Sequence, residues 1–299
     1  MTMTIAKFTK KYKGKIDQLD LEILIAHSLG KTREFVLTYE DYEIPTLQIK
    51  NLKFKISRRV KGEPIAYIIG HKEFYGLDFI VNANTLVPRP ETEMLVDSII
   101  NNQKTINNQD VRIIDVGTGS GNIIISIAKI LERGTWNVER ADEIKYFAID
   151  ISAEALKVAK KNARLHGVEK KIKFLQGNLL LPFFVELKKL KAKNLIIVAN
   201  LPYLSKEIYQ SAPADVKNFE PKTALYSSEN GLAHYRKLFE QINYLLITGY
   251  QLPINIFLEI SPEQKTLITK MIKNIFPSAK IEFKKDLAGK WRVCAIEIK

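Results

Sequence analysis

The feature that most constrains this chain is a regular alternation of apolar strands and amphipathic helices that begins after Asp110. Strands that are apolar along their whole length are buried on both faces, which is typical of a parallel sheet covered by helices on each side. The pattern therefore predicts an α/β fold with a doubly wound, mostly parallel sheet. The seven candidate strands are VRIIDV, KYFAID, IKFLQGN, NLIIVAN, INIFLEI, KIEFKKD and RVCAIEI.

The last two candidate strands are separated only by the short loop LAGKW. Strands joined by so short a connection pair side by side in opposite directions. We therefore expect an antiparallel pair at one edge of the sheet.

The beginning of the chain follows a different pattern. Apolar residues recur at helical spacing up to about Arg59, and Gly30 stands where a helix would end. From Phe79 onward, short strand-like pieces are interrupted by polar turn residues and two prolines. The predicted divisions are a helical domain over residues 1–78, a hairpin linker over 79–94 and the α/β domain over 95–299.

The first strand of the predicted sheet runs directly into the sequence DVGTGSGN, after which a helix begins. Glycines let the backbone turn tightly and let a ligand approach the main chain. The spacing G-x-G-x-G differs from that of a dinucleotide site, whose third glycine would fall at Asn122, and no P-loop Gly-Lys-Ser/Thr follows. The residues that we predict to form a ligand-binding loop are Gly117, Thr118, Gly119, Ser120 and Gly121.

Polar side chains also follow the second and third strands. Asp150 ends the second strand, where a carboxylate can accept hydrogen bonds from both hydroxyls of a ribose. Asn178 and Leu179 follow the third strand, where an amide can contact an adenine edge and an apolar side chain can cover the ring. Asp150 could instead cap the next helix, although Ser152 can also fill that role. Because ligands of open α/β folds bind at this edge of the sheet, the sequence favours a nucleoside site.

The fourth strand delivers the chain to the stretch VANLPYLSKE, which contains Asn200, Leu201, Pro202 and Tyr203. An amide, a proline and an aromatic ring after an apolar strand have two interpretations. They can be ordinary loop residues with a packed tyrosine, or they can form a binding motif. The stretch alone leaves both open.

The chain is strongly basic, with 46 Lys and Arg against 33 Asp and Glu and a formal net charge of +13. Such an excess favours an anionic partner, so contact with the ribosome or RNA through a basic surface is one interpretation. The lysines lie in short scattered clusters such as KKYKGK and KKLKAK, which are also typical of solvated surfaces. Charge alone does not decide between these interpretations.

Other composition signals concern location and metals. No stretch approaches the roughly 18 consecutive apolar residues of a membrane span, and MTMTIAKFTKKYKGK lacks the apolar middle of a signal peptide, so we expect a cytoplasmic protein without a membrane segment. The single cysteine, Cys294, excludes an intrachain disulfide and a cysteine-cluster metal site. The four histidines lack metal-ligand spacing, so no metal site is predicted.

The glycine loop, Asp150 and the Asn-Leu-Pro-Tyr stretch together resemble the class I S-adenosylmethionine-dependent methyltransferases. In that family a glycine loop follows strand one, an acid ends strand two and an Asn-Pro-Pro-Tyr-type motif ends strand four. The resemblance implies a seven-stranded methyltransferase sheet, S-adenosyl-L-methionine as the cofactor and a planar NH2 group as the methyl acceptor. The residues that it places in the site are Asn200, Leu201, Pro202 and Tyr203 at the acceptor, and Gly117, Thr118, Gly119, Ser120, Gly121, Asp150, Asn178, Leu179 and Asn200 at the cofactor.

The resemblance also implies a role for each acceptor residue. The Asn200 side-chain oxygen and the carbonyl of Leu201 would accept hydrogen bonds from the NH2 group, Pro202 would stiffen the turn and the ring of Tyr203 would stack on the amide. Adenine-N6 dimethyltransferases of ribosomal RNA share the form Asn-Leu-Pro-Tyr. The motif therefore does not select between an amide and an adenine.

Segments outside the motif look like the protein-glutamine N5 methyltransferases that modify peptide chain release factors. They are GEPIAYIIG, EFYGL, VPRPETE, EPKTAL, ENGL, LEI and KDLAGK. This resemblance implies methylation of the glutamine in the Gly-Gly-Gln loop of release factors, with the helical domain docking the release factor. Two alternatives stay open: an adenine-N6 methyltransferase acting on RNA or DNA, and a catalytically idle fold that binds RNA or the ribosome. The sequence departs from the family at Leu201, Asn178 and Leu179.

Overall fold

A computed structural model describes residues 3–102, 110–132, 144–187, 194–249 and 252–298. They fall into two compact units, the first formed by Met1–His71 with Pro213–Phe219 and the second by Lys72–Ala212 with Glu220–Lys299. No helix within these described ranges is long and apolar enough to cross a bilayer.

The first unit is a small helical domain. Asp17 caps its second helix by accepting hydrogen bonds from the backbone N–H groups of Leu19 and Asp20, and Gly30 ends that helix in the left-handed conformation, as the sequence predicts. Phe8 and Leu52 are fully buried in the core that these helices share. The elements are β1 (Met3–Thr4), α1 (Ile5–Tyr12), α2 (Gln18–Leu29), α3 (Arg33–Thr38), β2 (Glu43–Ile44), α4 (Thr46–Val60), α5 (Ile65–Ile69) and, from the later segment, α11 (Ala214–Phe219).

A two-stranded sheet follows, formed by β3 (His71–Phe74) and β4 (Leu77–Ile80). The turn between the strands uses Tyr75 and Gly76, both with positive φ angles. The sequence predicted a hairpin linker over 79–94, whereas the paired strands are His71–Phe74 and Leu77–Ile80, so only the second strand reaches into that range. The first strand, HKEF, has three polar residues and therefore offers no apolar alternation that a sequence pattern could detect.

The second unit is built on a seven-stranded sheet with the strand order β10-β11-β9-β8-β5-β6-β7. Neighbouring strands from β9 to β7 are parallel, whereas β11 is antiparallel to both β9 and β10. The doubly wound, mostly parallel sheet and its antiparallel edge pair are therefore confirmed. The strands are β5 (Val111–Val116), β6 (Lys145–Asp150), β7 (Ile172–Gln176), β8 (Asn194–Ala199), β9 (Ile254–Glu259), β10 (Lys280–Lys285) and β11 (Trp291–Ile298).

Helices cover both faces of the sheet. Every residue of β5, β8 and β9 is buried, and consecutive residues of β5 such as Ile113 and Ile114 enter different core clusters. The helices are α6 (Glu93–Ile100), α7 (Asn122–Glu132), α8 (Ala153–Leu165), α9 (Leu181–Leu187), α10 (Lys206–Ser211), α12 (Ser228–Gly231), α13 (Ala233–Ile247) and α14 (Lys265–Ile275), with 3₁₀ turns at Pro90–Thr92, Lys222–Ala224 and Pro262–Gln264.

The strand order creates a crevice at the carboxyl end of β5. The chain runs from β5 outward through β6 to β7 and then places β8 on the opposite side of β5. Val116 at the end of β5 is paired in parallel register with Ala199 at the end of β8. The glycine loop and Asn200 therefore leave the sheet side by side, at the switch point where open α/β sheets bind ligands.

Candidate active site

The glycine loop folds back over the end of β6. The N–H groups of Gly117 and Thr118 both donate to the carbonyl of Ile149, at 2.8 and 2.9 Å, and the N–H of Gly119 donates to Asp150 Oδ2 at 2.9 Å. Gly117 has a φ of +77°, and a Cβ there would lie 2.9 Å from a methyl group of Leu201. Glycine at this position therefore lets the loop after β5 approach the loop after β8.

Asp150 is anchored by backbone N–H groups. Its Oδ2 accepts from Gly119, and its Oδ1 accepts from the N–H of Ser152 at 2.8 Å. Burial raises the pKa of its carboxyl group, and these hydrogen bonds oppose that rise. The N-cap of α8 is Ser152, whose hydroxyl accepts from the N–H of Ala155, so Asp150 is not the capping residue. Each carboxylate oxygen keeps further lone-pair capacity for a ligand hydroxyl.

The third strand ends in a tight turn at Gly177, Asn178 and Leu179. The N–H of Gly177 donates to the carbonyl of Asp150 at 3.0 Å, and a Cβ at Gly177 would overlap the ring of Pro182. Leu179 is only 7% exposed and has a φ of +53°, a conformation that is costly for leucine. The turn is thus held in one shape by packing and by its bond to the Asp150 backbone.

A cavity of about 330 Å³ joins the ends of these strands. Its volume lies within the range of small-molecule sites. The predicted site residues that line it are Gly117, Thr118, Gly119, Ser120, Asp150, Asn178, Leu179, Asn200, Leu201 and Pro202. Two predicted site residues, Gly121 and Tyr203, are not part of this lining.

Gly121 has a packing role. A Cβ at this position would lie 2.7 Å from Ile125 Cδ1 and 3.2 Å from the Cβ of Ala159. Its N–H donates to the carbonyl of Thr118 at 2.8 Å, which closes the loop. Gly121 therefore lets α7 and α8 pack closely beneath the loop, and the structure does not bring it to the cavity wall.

The side chain of Asn200 is anchored through its NH2 end. Nδ2 donates to Thr92 Oγ1 at 3.1 Å, and the Thr92 hydroxyl donates to Glu259 Oε2 at 2.6 Å. The Tyr203 hydroxyl donates to the other oxygen of the same carboxylate, Glu259 Oε1, at 3.0 Å. The buried carboxylate at the end of β9 therefore binds Tyr203 directly and Asn200 through Thr92.

Glu259 is 2% exposed, and burial raises the pKa of its carboxyl group. The hydrogen bonds from Thr92 and Tyr203 and the nearby Arg292 lower this pKa, whereas Glu91 raises it. The charge of Glu259 is in turn the largest cause that raises the pKa of the Tyr203 hydroxyl. The Tyr203 hydroxyl and the Glu259 carboxylate are thus matched as donor and acceptor.

Further contacts fix the backbone around Tyr203. Gln264 Nε2 donates to the carbonyl of Tyr203 at 2.9 Å and to the carbonyl of Asn230 at 3.0 Å. Gly231 has a φ of +83°, and a Cβ there would overlap the Tyr203 carbonyl oxygen. Within the described part of the chain, the carbonyl of Leu201 accepts no hydrogen bond. Tyr203 is thus pinned on both its main chain and its side chain, while the Leu201 carbonyl keeps its acceptor capacity.

The cavity has another wall, formed in part by the segment from Leu86 to Thr92. This segment belongs to the range that the sequence predicted as a linker, and it also lines the cavity. Glu220 holds it in place, because Oε2 accepts from the N–H of Val87 at 3.2 Å and Oε1 accepts from Arg89. Glu220 lies 131 residues further along the chain than Arg89, so no local pattern reveals the contact.

Sequence reasoning also missed the supporting roles of Thr92, Glu259 and Gln264. Two signals were available: Glu259 ends an apolar strand as Asp150 does, and the segments VPRPETE and LEI, which contain Thr92 and Glu259, resemble the family without revealing a role for either residue. His234, which lines the cavity beside Ser227, was missed as a wall residue; its Nδ1 lies 2.8 Å from the Ser227 hydroxyl and burial lowers the pKa of its ring.

Comparison with known proteins places both parts of the chain. Residues 107–223 match a family model described as a methyltransferase domain, and residues 4–70 match one described as the PrmC N-terminal domain. The release factor glutamine methyltransferase of Thermodesulfovibrio yellowstonii is 37% identical over 278 residues, which cover 92% of this chain and 90% of that protein. The enzyme of the same name from Bacillus anthracis is 34% identical over 278 residues, covering 93% of this chain and 91% of that protein.

Among solved structures, the catalytic domain of hMettl16 in complex with MAT2A 3'UTR hairpin 6 aligns with a TM-score of 0.53. The alignment covers 91% of each chain at 14% identity, so it supports the fold alone. The sequence relatives go further, because their identity extends over both domains. The chain belongs to the family of release factor glutamine methyltransferases.

Proposed function

We propose that this chain transfers a methyl group from S-adenosyl-L-methionine to the side-chain amide nitrogen, N5, of the glutamine in the Gly-Gly-Gln loop of peptide chain release factors. The names of the relatives carry the substrate class. The observation that carries the chemistry is the Asn200 amide, which is anchored by its NH2 end at the cavity wall and so leaves its oxygen as an acceptor.

The cavity fits the proposed cofactor. Asp150 supports ribose recognition, since both of its oxygens are fixed by backbone N–H groups and retain acceptor capacity. Asn178 and Leu179 would contact the adenine, and the backbone of the loop at Gly119 is open to a ligand, with no atom within 4 Å of a Cβ built there. When bound, S-adenosyl-L-methionine supplies an electrophilic methyl group on a sulfonium sulfur, which keeps the electron pair of the broken C–S bond.

The acceptor residues address the difficulty of methylating an amide. The lone pair of an amide nitrogen is delocalised into the carbonyl, and positive charge builds on the nitrogen as the new N–C bond forms. Asn200 Oδ1 and the carbonyl of Leu201 would accept hydrogen bonds from the two N–H groups, which aligns the nitrogen and stabilises that charge. The nitrogen then releases one proton to water.

Pro202 and Tyr203 complete the acceptor site in this proposal. Pro202 restricts the backbone between Leu201, whose carbonyl is a proposed hydrogen-bond acceptor, and Tyr203. The ring of Tyr203 offers a flat apolar surface for the substrate amide, and its hydroxyl is held by Glu259. Tyr203 does not line the cavity in which the cofactor is proposed to bind. Its ring is therefore proposed to contact the substrate amide and not the cofactor.

Several expectations from sequence remain predictions. Docking of the release factor by residues 1–78, contact with the ribosome or RNA through the basic surface, the cytoplasmic location and the absence of a metal site belong to this group. The adenine-N6 alternative is not favoured, because the relatives with identity over both domains are named for glutamine methylation.

One labelling experiment tests the function. The full chain is incubated with S-adenosylmethionine labelled on its methyl group and with either release factor or total RNA. We expect label on the release factor and none on a matched release factor whose loop glutamine is replaced by alanine. Label on RNA and none on release factor would mean that the adenine alternative is correct.

A further inference from the structure

Two residues of the proposed acceptor site, Asn200 and Tyr203, are connected by hydrogen bonds to the carboxylate of Glu259. Glu259 accepts from Tyr203 on Oε1 and from Thr92 on Oε2, and Thr92 in turn accepts from Asn200. The family motif contains Asn200 and Tyr203 but neither Thr92 nor Glu259. These two residues lie on separate segments, Thr92 in the turn before α6 and Glu259 at the end of β9.

The orientation of the Asn200 amide follows from counting protons. A threonine hydroxyl has one proton to donate, and Thr92 donates it to the Glu259 carboxylate. Thr92 Oγ1 can then only accept, so the NH2 end of Asn200 must face it. A reversed amide would set the Asn200 oxygen against an oxygen without a proton, and the buried Thr92 hydroxyl would lose the hydrogen bond that it accepts.

We propose that Glu259 is a positioning residue, which acts through Thr92 to turn the oxygen of Asn200 toward the methyl acceptor and which holds Tyr203 by its other oxygen. The inference rests on the proposed function in taking a planar NH2 group as the acceptor. Glu259 and Thr92 make no contact with the reacting atoms in this account. They set the direction of the groups that do.

Replacement of the carboxylate by an amide breaks this arrangement. In Glu259→Gln one end of the side chain becomes a donor, so either Thr92 or Tyr203 meets a donor where it now meets an acceptor. If the donor faces Thr92, the threonine proton is free to point at Asn200, and the reversed amide becomes the favoured one. The shape of the side chain is unchanged, so the packing around β9 is kept.

The first test compares two substitutions of Thr92 in the full chain. Thr92→Val keeps the shape and removes the hydroxyl, whereas Thr92→Ser keeps the hydroxyl. We expect Thr92→Val to lower the single-turnover rate about 10-fold to 100-fold, as is typical when a group supporting a site residue is lost, and Thr92→Ser to restore most of that rate. Cofactor affinity, measured by calorimetric titration, should change little in both. Equal rates for the valine and serine variants would overturn the inference.

A double-mutant cycle then isolates the path through Asn200. If Thr92 acts by orienting Asn200, Thr92→Val should cause no further loss of rate in an Asn200→Ala background. Independent, multiplying effects of the two substitutions would show that Thr92 acts elsewhere, for example on the cofactor. Glu282→Gln serves as a control, because this exposed carboxylate on β10 pairs with Lys280 and should leave the rate unchanged.

The design separates failure of the inference from failure of the proposed function. The wild-type chain is first assayed with release factor and with adenine-containing RNA. If RNA is labelled instead of release factor, the proposed function fails, and the double-mutant cycle is measured with RNA. The adenine NH2 group would need the same hydrogen-bond acceptor, Asn200 Oδ1. Coupling between Thr92 and Asn200 on the labelled substrate supports the inference, and its absence overturns it.

Discussion

The two sides of the crevice at the end of the sheet are built by different means. On the side of β5 and β6, here called the cofactor side, the glycine loop and Asp150 are joined by backbone N–H donors. On the side of β8, here called the acceptor side, Asn200 and Tyr203 depend on side chains from distant parts of the chain. The partners on the acceptor side are Thr92, Glu259 and Gln264.

The difference teaches where a local motif is sufficient. A loop held by main-chain hydrogen bonds and by glycines keeps its shape whatever its exposed neighbours are, because the bonds belong to the backbone. An amide whose direction is set by a threonine and a glutamate loses its direction when either is changed. We therefore expect substitutions on the cofactor side to alter affinity, and substitutions on the acceptor side to alter rate.

The largest expected effect is that of Asn200→Ala. Loss of one aligned acceptor for developing charge should lower the single-turnover rate about 100-fold to 1000-fold, by analogy with other preorganised electrostatic sites. Cofactor affinity should change much less, and both are measured on the same protein. An unimpaired rate would show that Asn200 is only a loop residue, and the proposed mechanism would be wrong.

Asp150→Ala should produce the opposite division between affinity and rate. Loss of a charged acceptor for two ribose hydroxyls should weaken cofactor binding by about 1.5 to 3 kcal/mol. Because Asp150 also accepts from Gly119 and Ser152, circular dichroism and thermal unfolding serve as controls for the loop. Unchanged affinity in a calorimetric titration would show that Asp150 does not bind the cofactor.

The pH dependence should distinguish the two sides as well. Burial raises the pKa of Glu259, so its proton is taken up at higher pH than for an exposed glutamate, and the rate should fall as pH falls toward that pKa. The groups that face it are Tyr203, Tyr235, Glu91 and Arg292.

The ionisation of Glu259 changes stability with pH in the opposite direction to its effect on the rate. A raised pKa in the folded state means that the ionised form is disfavoured there, so this contribution to stability is present at low pH and is lost as pH rises through the folded-state pKa. Other buried carboxyls also titrate, since burial raises the pKa of Asp115 to about 7. The pH dependence of the rate is therefore compared between wild type and Glu259→Gln. The part of the fall in rate at low pH that disappears in the variant belongs to Glu259. Identical pH profiles would count against its role.

The smallest expected effect is that of Tyr203→Phe. The substitution keeps the ring and loses one hydrogen bond to Glu259, which should cost about 0.5 to 1.5 kcal/mol, or roughly a factor of 2 to 13 in rate. Tyr203→Ala removes the ring as well and should cost more. If the two variants have equal rates, the ring does not contact the substrate and only the hydroxyl matters.

Much of the fold follows from the sequence because its signals are local. The alternation of apolar strands and helices predicts all seven strands of the large sheet, and the short LAGKW loop predicts the antiparallel edge. The pairing of His71–Phe74 with Leu77–Ile80 was missed because the first strand, HKEF, is mostly polar and shows no apolar alternation.

The sequence predicts only the part of the candidate site that lies at the ends of strands. The residues that follow β5, β6, β7 and β8 converge on one cavity, as expected from a parallel sheet. Thr92 and Glu220 do not end a strand and could not be found in this way, and the position of Glu259 at the end of β9 does not reveal its partners, since all three act on segments that are remote in the chain. A threonine in a turn and a glutamate after a strand have many other uses, and only the folded chain shows what they touch.

The shared carboxylate has a consequence for protein engineering. Because Glu259 serves Asn200 and Tyr203 together, the four-residue Asn-Leu-Pro-Tyr loop is not a portable unit. A designer who grafts this loop onto another parallel sheet must also supply a hydroxyl donor beside the asparagine and a buried acid at the end of the neighbouring strand. Without them the grafted loop would have the correct sequence, but its asparagine amide would not be held in one orientation.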